Sequence, residues 1–186
     1  MAELERPEGS LRRFALFESR MSPARDHYEI SSTVPADVDA VWAHCSTMTG
    51  VSRELWPWLR MTYPDGAESL VPATFVPGKP LFRSTLLLCG LLPVDRTDLT
   101  IVELEPGRRF FERSAMASQR VWEHERLLEP IVEGTRITDR LRWRGRFSGA
   151  TTAFALAVPP LFRWRHYRLQ QIFTGMGNRS GGLDTD

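Results

Sequence analysis

The stretch "VWEHERLLEPIVEGTRITDRLRW", residues 121–143, reads as two β-strands joined by a short turn. Side chains on a strand alternate between its faces. On the second strand Thr135, Ile137, Asp139, Leu141 and Trp143 share one face, and Arg136, Thr138, Arg140, Arg142 and Arg144 share the other. One face is therefore apolar except for a single carboxylate, and the other is nearly a ladder of arginine. On the first strand Trp122, His124, Arg126 and Leu128 form the core-facing row, while Glu123 and Glu125 point to solvent. Placing Leu128 opposite Thr135 sets Arg126 opposite Ile137, His124 opposite Asp139 and Trp122 opposite Leu141. A one-residue slip would turn a whole face over, so the competing register is a two-residue shift, which brings Arg126 opposite Asp139. A carboxylate on the buried face needs a partner, and the imidazole of His124 is the nearest candidate.

The neighbouring segments extend the pattern. In "RRFFERSAM" (108–116) Phe110, Glu112 and Ser114 share a face, and Phe111 and Arg113 share the other. A short turn at Ala117–Ser118 would bring Glu112 beside His124 or Arg126, although Phe111 argues equally for the opposite orientation. Further strands are expected at 27–34, 81–90, 95–105 and 119–128, with the turn "EPGR" between 105 and 108. The stretch 60–80 reads as a strand fragment and a long loop. Two short helices follow the first strand. One opens at "PAD" with Val38, Val41, Trp42 and Cys45 at helical spacing; the other is capped by Thr49 and limited by Pro57. The segment "PPLFRWRHYRLQQIF" (159–173) reads as a long helix with prolines in its first turn. Phe162, His166, Leu169 and Phe173 form its apolar face, flanked by Arg165 and Ile172. Residues 1–25 are expected to be a loose arm or surface strap, 26–174 the folded domain, and 175–186 a disordered tail.

Bulk properties bound the function. The 186 residues suit one domain, with 42% hydrophobic and 25% charged residues and a net charge of +1. That charge gives no general attraction to nucleic acid or to an acidic membrane. Lys79 is the only lysine beside 23 arginines, a bias expected of a GC-rich bacterial genome. Cys45 and Cys89 fit reduced, buried thiols in a cytoplasmic protein, and the N-terminus has no apolar signal core. The longest apolar run, "STLLLCGLLPV", is too short to span a bilayer, so no stable membrane insertion is expected. No metal-ligand spacing, phosphate loop, dinucleotide fingerprint or nucleophile elbow is present, and no cofactor is expected.

Strand, two helices, a meander of about six strands and a long C-terminal helix form the expected α+β order. Together with "VPADVDAVW", "ELWPWLRMTYP", "FERSAMASQRVWEHER", "GTRITDRLRW" and "LFRWRHYRL", it resembles the SRPBCC or START-like superfamily over residues 27–173. That group includes polyketide cyclase/dehydrases, birch-pollen-allergen-like proteins and lipid-transfer START domains. The resemblance implies a helix-grip fold, in which a curved antiparallel sheet wraps the C-terminal helix around an elongated hydrophobic cavity. It also implies small apolar or aromatic ligands, and in some members cyclisation of poly-β-keto chains.

Three functions remain open on this reading. The first is binding of a small hydrophobic metabolite, by a monomer or weak homodimer, with Trp122, Leu141, Phe162 and Leu169 lining the cavity. Arg126, Trp143, Arg165, His166 and Trp58 are further candidates for ligand contact, and Trp56 could stand beside Trp58 at the entrance. The second is a cofactor-free cyclase/dehydratase, with His124 poised by Asp139 and with Glu112 nearby as acid/base groups. The same residues also fit a satisfied polar network of purely structural value. The third is a partner-binding module using the outer sheet face. The arginine ladder on that face has Glu123 and Glu125 beside it as counter-charges.

Overall fold

A computed structural model describes residues 18–21, 26–73 and 75–180 of the chain. The strands are β1 (Glu18–Met21), β2 (His27–Val34), β3 (Leu59–Met61), β4 (Pro80–Leu88), β5 (Leu92–Glu105), β6 (Arg109–Arg113), β7 (Ala115–Met116), β8 (Gln119–Ile131) and β9 (Gly134–Gly145). The helices are α1 (Val38–Cys45), α2 (Met48–Leu55) and α3 (Ala150–Ser180). One antiparallel sheet runs in the order β1-β2-β9-β8-β6-β5-β4-β3, with β7 paired to β5. The sheet curls around α3, which packs against β2, β9 and α2. This is the helix-grip architecture.

Alternation builds the sheet. In β2 Tyr28, Ile30, Ser32 and Val34 are buried, and in β9 Ile137, Asp139, Leu141 and Trp143 are. Val34, Leu128, Ile137, Leu169 and Phe173 form one packed cluster, and Tyr28, Ile30, Leu141, Trp143 and Phe162 lie in another. Burying each such aliphatic chain stabilises by roughly 1.5–3 kcal/mol.

Several boundaries differ from the sequence expectation. The β8–β9 hairpin adopts the two-residue-shifted register: Leu128 faces Ile137, Arg126 faces Asp139, His124 faces Leu141 and Trp122 faces Trp143. The cause is that β8 continues through Pro130 to Ile131, leaving only Val132 and Glu133 in the turn. Pro130 is tolerated because β6 ends opposite Leu127. Leu128 N–H still donates to Arg108 O at 2.7 Å, so the nitrogen of Pro130, two residues on, points to a side with no strand left to receive a donor. Gly134 completes the turn at φ 129°, against the backbone of Val34 and Ala36, where a Cβ would collide.

Helix α3 begins nine residues before the expected start, so Pro159 and Pro160 lie inside it. The four alanines and Leu156 of "ATTAFALAV" favour helix, and the carbonyls deprived of donors belong to half-exposed Ala155 and exposed Leu156, where water can reach them. The helix also runs through Gly175 to Ser180, into the expected tail; residues 181–186 lie outside the described residues. Thr47, rather than Thr49, caps α2, its hydroxyl accepting from Gly50 N–H at 3.0 Å. Part of the expected N-terminal arm, Glu18–Met21, is an edge strand on β2; the rest of residues 1–25 lies outside the described residues. Cys45 is buried, whereas Cys89 is exposed in the β4–β5 turn.

The arginine ladder faces outward. Arg140 bonds Glu29 at 2.9 Å and Glu125 at 3.2 Å, and Arg142 lies 3.6 Å from Glu123. Water competes for exposed pairs of this kind. Arg140→Ala and Arg142→Ala are each expected to change unfolding free energy by no more than ~0.5 kcal/mol in urea titrations.

Candidate functional site

Four buried charged groups converge on the inner face of the sheet, between it and the helices: Arg126 from β8, Asp139 from β9, Glu54 from α2 and Arg165 from α3. Asp139 is fully enclosed and accepts four hydrogen bonds. Arg126 approaches as a fork, Nε to Oδ1 and Nη2 to Oδ2, both at 2.7 Å. His124 Nε2 donates to Oδ1 at 3.0 Å and His166 Nε2 to Oδ2 at 3.1 Å. The remaining Arg126 nitrogen, Nη1, donates to both oxygens of Glu54 at 3.1 and 3.0 Å and lies 3.2 Å from Cys45 Sγ. Arg165 donates to Glu54 Oε2 through Nε at 3.1 Å and Nη2 at 2.7 Å. Two guanidiniums therefore neutralise two carboxylates in a closed set.

Local structure explains how these groups meet. Asp139 and Arg126 are cross-strand partners in the observed register. His124 reaches the same carboxylate diagonally from two residues along β8, so the expected contact forms although the expected pairing does not. Gly50 lets α2 turn tightly against the end of α1, because a Cβ there would strike His44 O. That close approach carries Glu54 under Cys45 and within 3.5 Å of His44 Nε2, too poorly aligned for a full hydrogen bond.

The electrostatics follow from burial and pairing. Burial alone would raise the carboxyl pKa of Asp139, but Arg126 and then His124 overcome it and hold the group well below the usual carboxylate range. Burial likewise opposes ionisation of Glu54, and Arg126 and Arg165 hold it below that range. Burial opposes the charge on Arg126, yet Asp139 and Glu54 keep it firmly protonated. Burial lowers the pKa of His166 despite its bond to Asp139. A neutral ring with Nε2–H on Asp139 leaves Nδ1 to accept the Ser32 hydroxyl at 2.6 Å. Burial pushes the Cys45 thiol up to about 12, making it an inert neighbour.

Above this set lies a cavity of about 1180 Å³ between the sheet and α3. Its walls are mostly apolar, including Met48, Val51, Leu55, Leu99, Ile101, Phe110, Trp122 and Phe162. His124, Glu112 and Arg165 give it polar character beside the buried charges. Glu112 Oε1 accepts from Ser114 Oγ at 2.5 Å, and its Oε2 lies 3.7 Å from His124 Nδ1. Both residues line the cavity, which places His124 Nδ1 and Glu112 Oε2 within reach of a polar group on a ligand. The mouth is rimmed by exposed Trp58, Leu88, Val94, Phe147 and Tyr167.

Of the residues singled out from sequence, His124, Glu112, Trp122, Phe162, Arg165 and Trp58 line the cavity. Asp139, Arg126 and His166 stand behind its wall. Leu141, Trp143 and Leu169 are packed in the core rather than on the cavity surface. Trp143 is further fixed by its indole N–H on Thr151 O at 3.2 Å. Sequence reasoning missed Glu54 and Ser32. The available signals were a carboxylate within the Met48–Val51–Leu55 stripe of α2 and a serine in the buried row of β2. Among the described residues no His/Cys/Asp/Glu cluster is arranged to hold a metal, and no helix is long and apolar enough to cross a membrane.

The family described as "Domain of unknown function (DUF8410)" matches residues 32–173. No curated protein matches the sequence. Solved structures share the fold. A protein from Rhodobacter sphaeroides superposes with a TM-score of 0.60 at 14% identity, over 86% of this chain and 99% of that one. Protein Ms6760 from Mycobacterium smegmatis gives 0.60 at 13% identity, over 83% and 94% of the two chains. CalU16 from Micromonospora echinospora gives 0.56 at 17% identity, over 89% and 78%. At such identities the likeness is one of fold.

Proposed function

We propose that this chain, which belongs to the DUF8410 family, is a START-like protein that binds a small hydrophobic or aromatic metabolite in the cavity between its sheet and α3. The observation that carries this reading is the cavity itself: about 1180 Å³, walled by apolar side chains, with a few polar groups in reach. Apolar burial supplies affinity, and the polar groups orient the ligand. A ligand hydroxyl can bond Glu112 Oε2 or His124 Nδ1, and a carbonyl fits the side of Arg165 left free by Glu54. Native mass spectrometry of the purified protein is expected to show a co-purified lipophilic molecule, or displacement of a hydrophobic fluorescent probe. A protein that takes up neither would remove the reading.

The position of His124 favours a second reading, a cofactor-free cyclase/dehydratase. Its Nδ1 faces Glu112 beside the cavity while Asp139 holds its Nε2–H. In that role Nδ1 removes a proton from a carbon next to a carbonyl polarised by Arg165, and the proton is returned to a departing hydroxyl as water. His124→Gln separates the readings, because glutamine keeps an N–H for Asp139 but offers no basic nitrogen. For a binding protein it leaves ligand affinity within a few-fold and costs about 1 kcal/mol of stability. For a dehydratase it keeps fold and binding while turnover drops by about 10²-fold or more, measured by product mass.

A further inference from the structure

The residues around the cavity mouth form a surface that the ligand site does not explain. The β4–β5 hairpin ends in a turn with positive φ at Cys89 and Gly90, pinned by Cys89 N–H on Trp58 O at 2.9 Å. Beyond it Leu91 and Leu92 are 85% and 59% exposed. Gly90 packs against the Trp56 ring, Trp58 stacks edge-on to Trp164, and Trp164 donates its indole N–H to Trp56 O at 2.9 Å. Trp56 and Trp58 are still 53% and 52% exposed. Aliphatic tips and half-exposed tryptophans therefore sit together on a braced, protruding turn rather than scattered over the surface.

Arginines surround them. Arg168 lies over the Trp164 ring and reaches Arg53 O, while exposed Arg163 lines the mouth one turn earlier. Among the described residues, the ion pairs involve other arginines and leave Arg53, Arg163 and Arg168 without a carboxylate. The geometry points to reversible docking of this rim on an anionic phospholipid bilayer. Leu91 and Leu92 enter the acyl boundary, the tryptophans sit at headgroup level, and the arginines meet lipid phosphates. A second copy of the chain fits less well, because a two-fold contact would set this arginine cluster against itself. Since Trp58, Leu88 and Val94 belong both to the rim and to the cavity, docking opens the cavity toward the lipid rather than toward water.

Co-sedimentation of the full-length protein with large vesicles tests this. Vesicles of phosphatidylcholine with about one-third phosphatidylglycerol are expected to pellet the protein at low salt, and pure phosphatidylcholine or high salt to pellet much less. The double variant Leu91→Asp/Leu92→Asp, with an unchanged circular dichroism spectrum and melting temperature, is expected to bind about tenfold more weakly or worse. Arg163→Glu/Arg168→Glu is expected to abolish the preference for anionic vesicles. No pelleting with anionic vesicles at low salt would overturn the inference, as would undiminished binding by the leucine variant. Concentration-dependent dimerisation abolished by Leu91→Asp would overturn it by assigning the patch to a second copy. Because Leu91 and Leu92 lie outside the cavity lining, uptake of a hydrophobic probe by the leucine variant keeps this test separate from the ligand reading.

Discussion

Arg126→Leu is expected to cost about 3–5 kcal/mol of folding stability, seen as a lowered midpoint in urea unfolding followed by circular dichroism. The arginine is 1% exposed and is the one group that bonds both Asp139 and Glu54. Its loss leaves Asp139 with two imidazole donors and Glu54 with Arg165, so a net negative charge remains in a space closed to water. Against a typical domain stability of about 5–15 kcal/mol, that is a large fraction of the whole. Arg126→Lys should recover little, because one ammonium on a flexible stem cannot present a fork to Asp139 and a further N–H pair to Glu54. Removing Asp139 and Glu54 together with Arg126, in favour of apolar side chains of similar size, should cost less than the single change, since no unpaired charge is left. A loss below about 1 kcal/mol for Arg126→Leu would mean that water enters the site freely.

Lowering the pH is expected to weaken the fold in two stages. His166 titrates near 6.5 in the unfolded chain but at a lower pH when folded, because burial resists its protonation. Below about pH 6.5 the unfolded chain therefore binds a proton that the folded protein refuses, and stability falls with a slope of up to ~1.4 kcal/mol per pH unit. The carboxyls of Asp139 and Glu54 have ordinary values of 3.8 and 4.5 and folded values depressed below them. Their contribution is complete above about pH 5 and is lost as the pH falls through and below 4, where two more protons drive unfolding and the slope steepens to about twice the single-proton value or more. His166→Gln should flatten the upper stage and leave the lower one. Urea unfolding measured at intervals of half a pH unit distinguishes the two, and an unchanged slope above pH 5 in the variant would assign that stage to another group.

The fold was legible because its main signals are local. Alternation in 27–34, 119–128 and 135–147, together with Gly-containing turns, specifies a hairpin-rich sheet without any long-range information. The observed register is the two-residue competitor, because the first strand does not stop at Leu128 but continues through Pro130, which it can do where the neighbouring β6 has ended. The polar site was half legible. Asp139 and His124 stand out as polar groups in apolar rows, whereas Glu54 reaches them only through the docking of α2, which Gly50 permits. His166 lies within the apolar stripe of its helix and Arg165 on its flank, and for such long polar side chains an inward and an outward course look alike in sequence. Leu141 and Leu169 show the remaining gap. An apolar residue facing inward can line a cavity or fill a core, and the separation of helix from sheet decides which.

The sheet order also has a consequence for how the chain reaches this state. β2 lies between β1 and β9, so Ser31 meets Thr138 across 107 residues and Ser32 meets His166 across 134. The hairpins from β4 to β9 can form from neighbouring sequence, while β2 must wait for nearly the whole chain before its inner edge is covered. On a ribosome that edge, and the apolar row of Tyr28 and Ile30 beside it, stays open until β9 and α3 have emerged. Closure of β2 onto β9 is therefore expected to follow the local hairpins, and the Asp139–His166–Ser32 contact needs it.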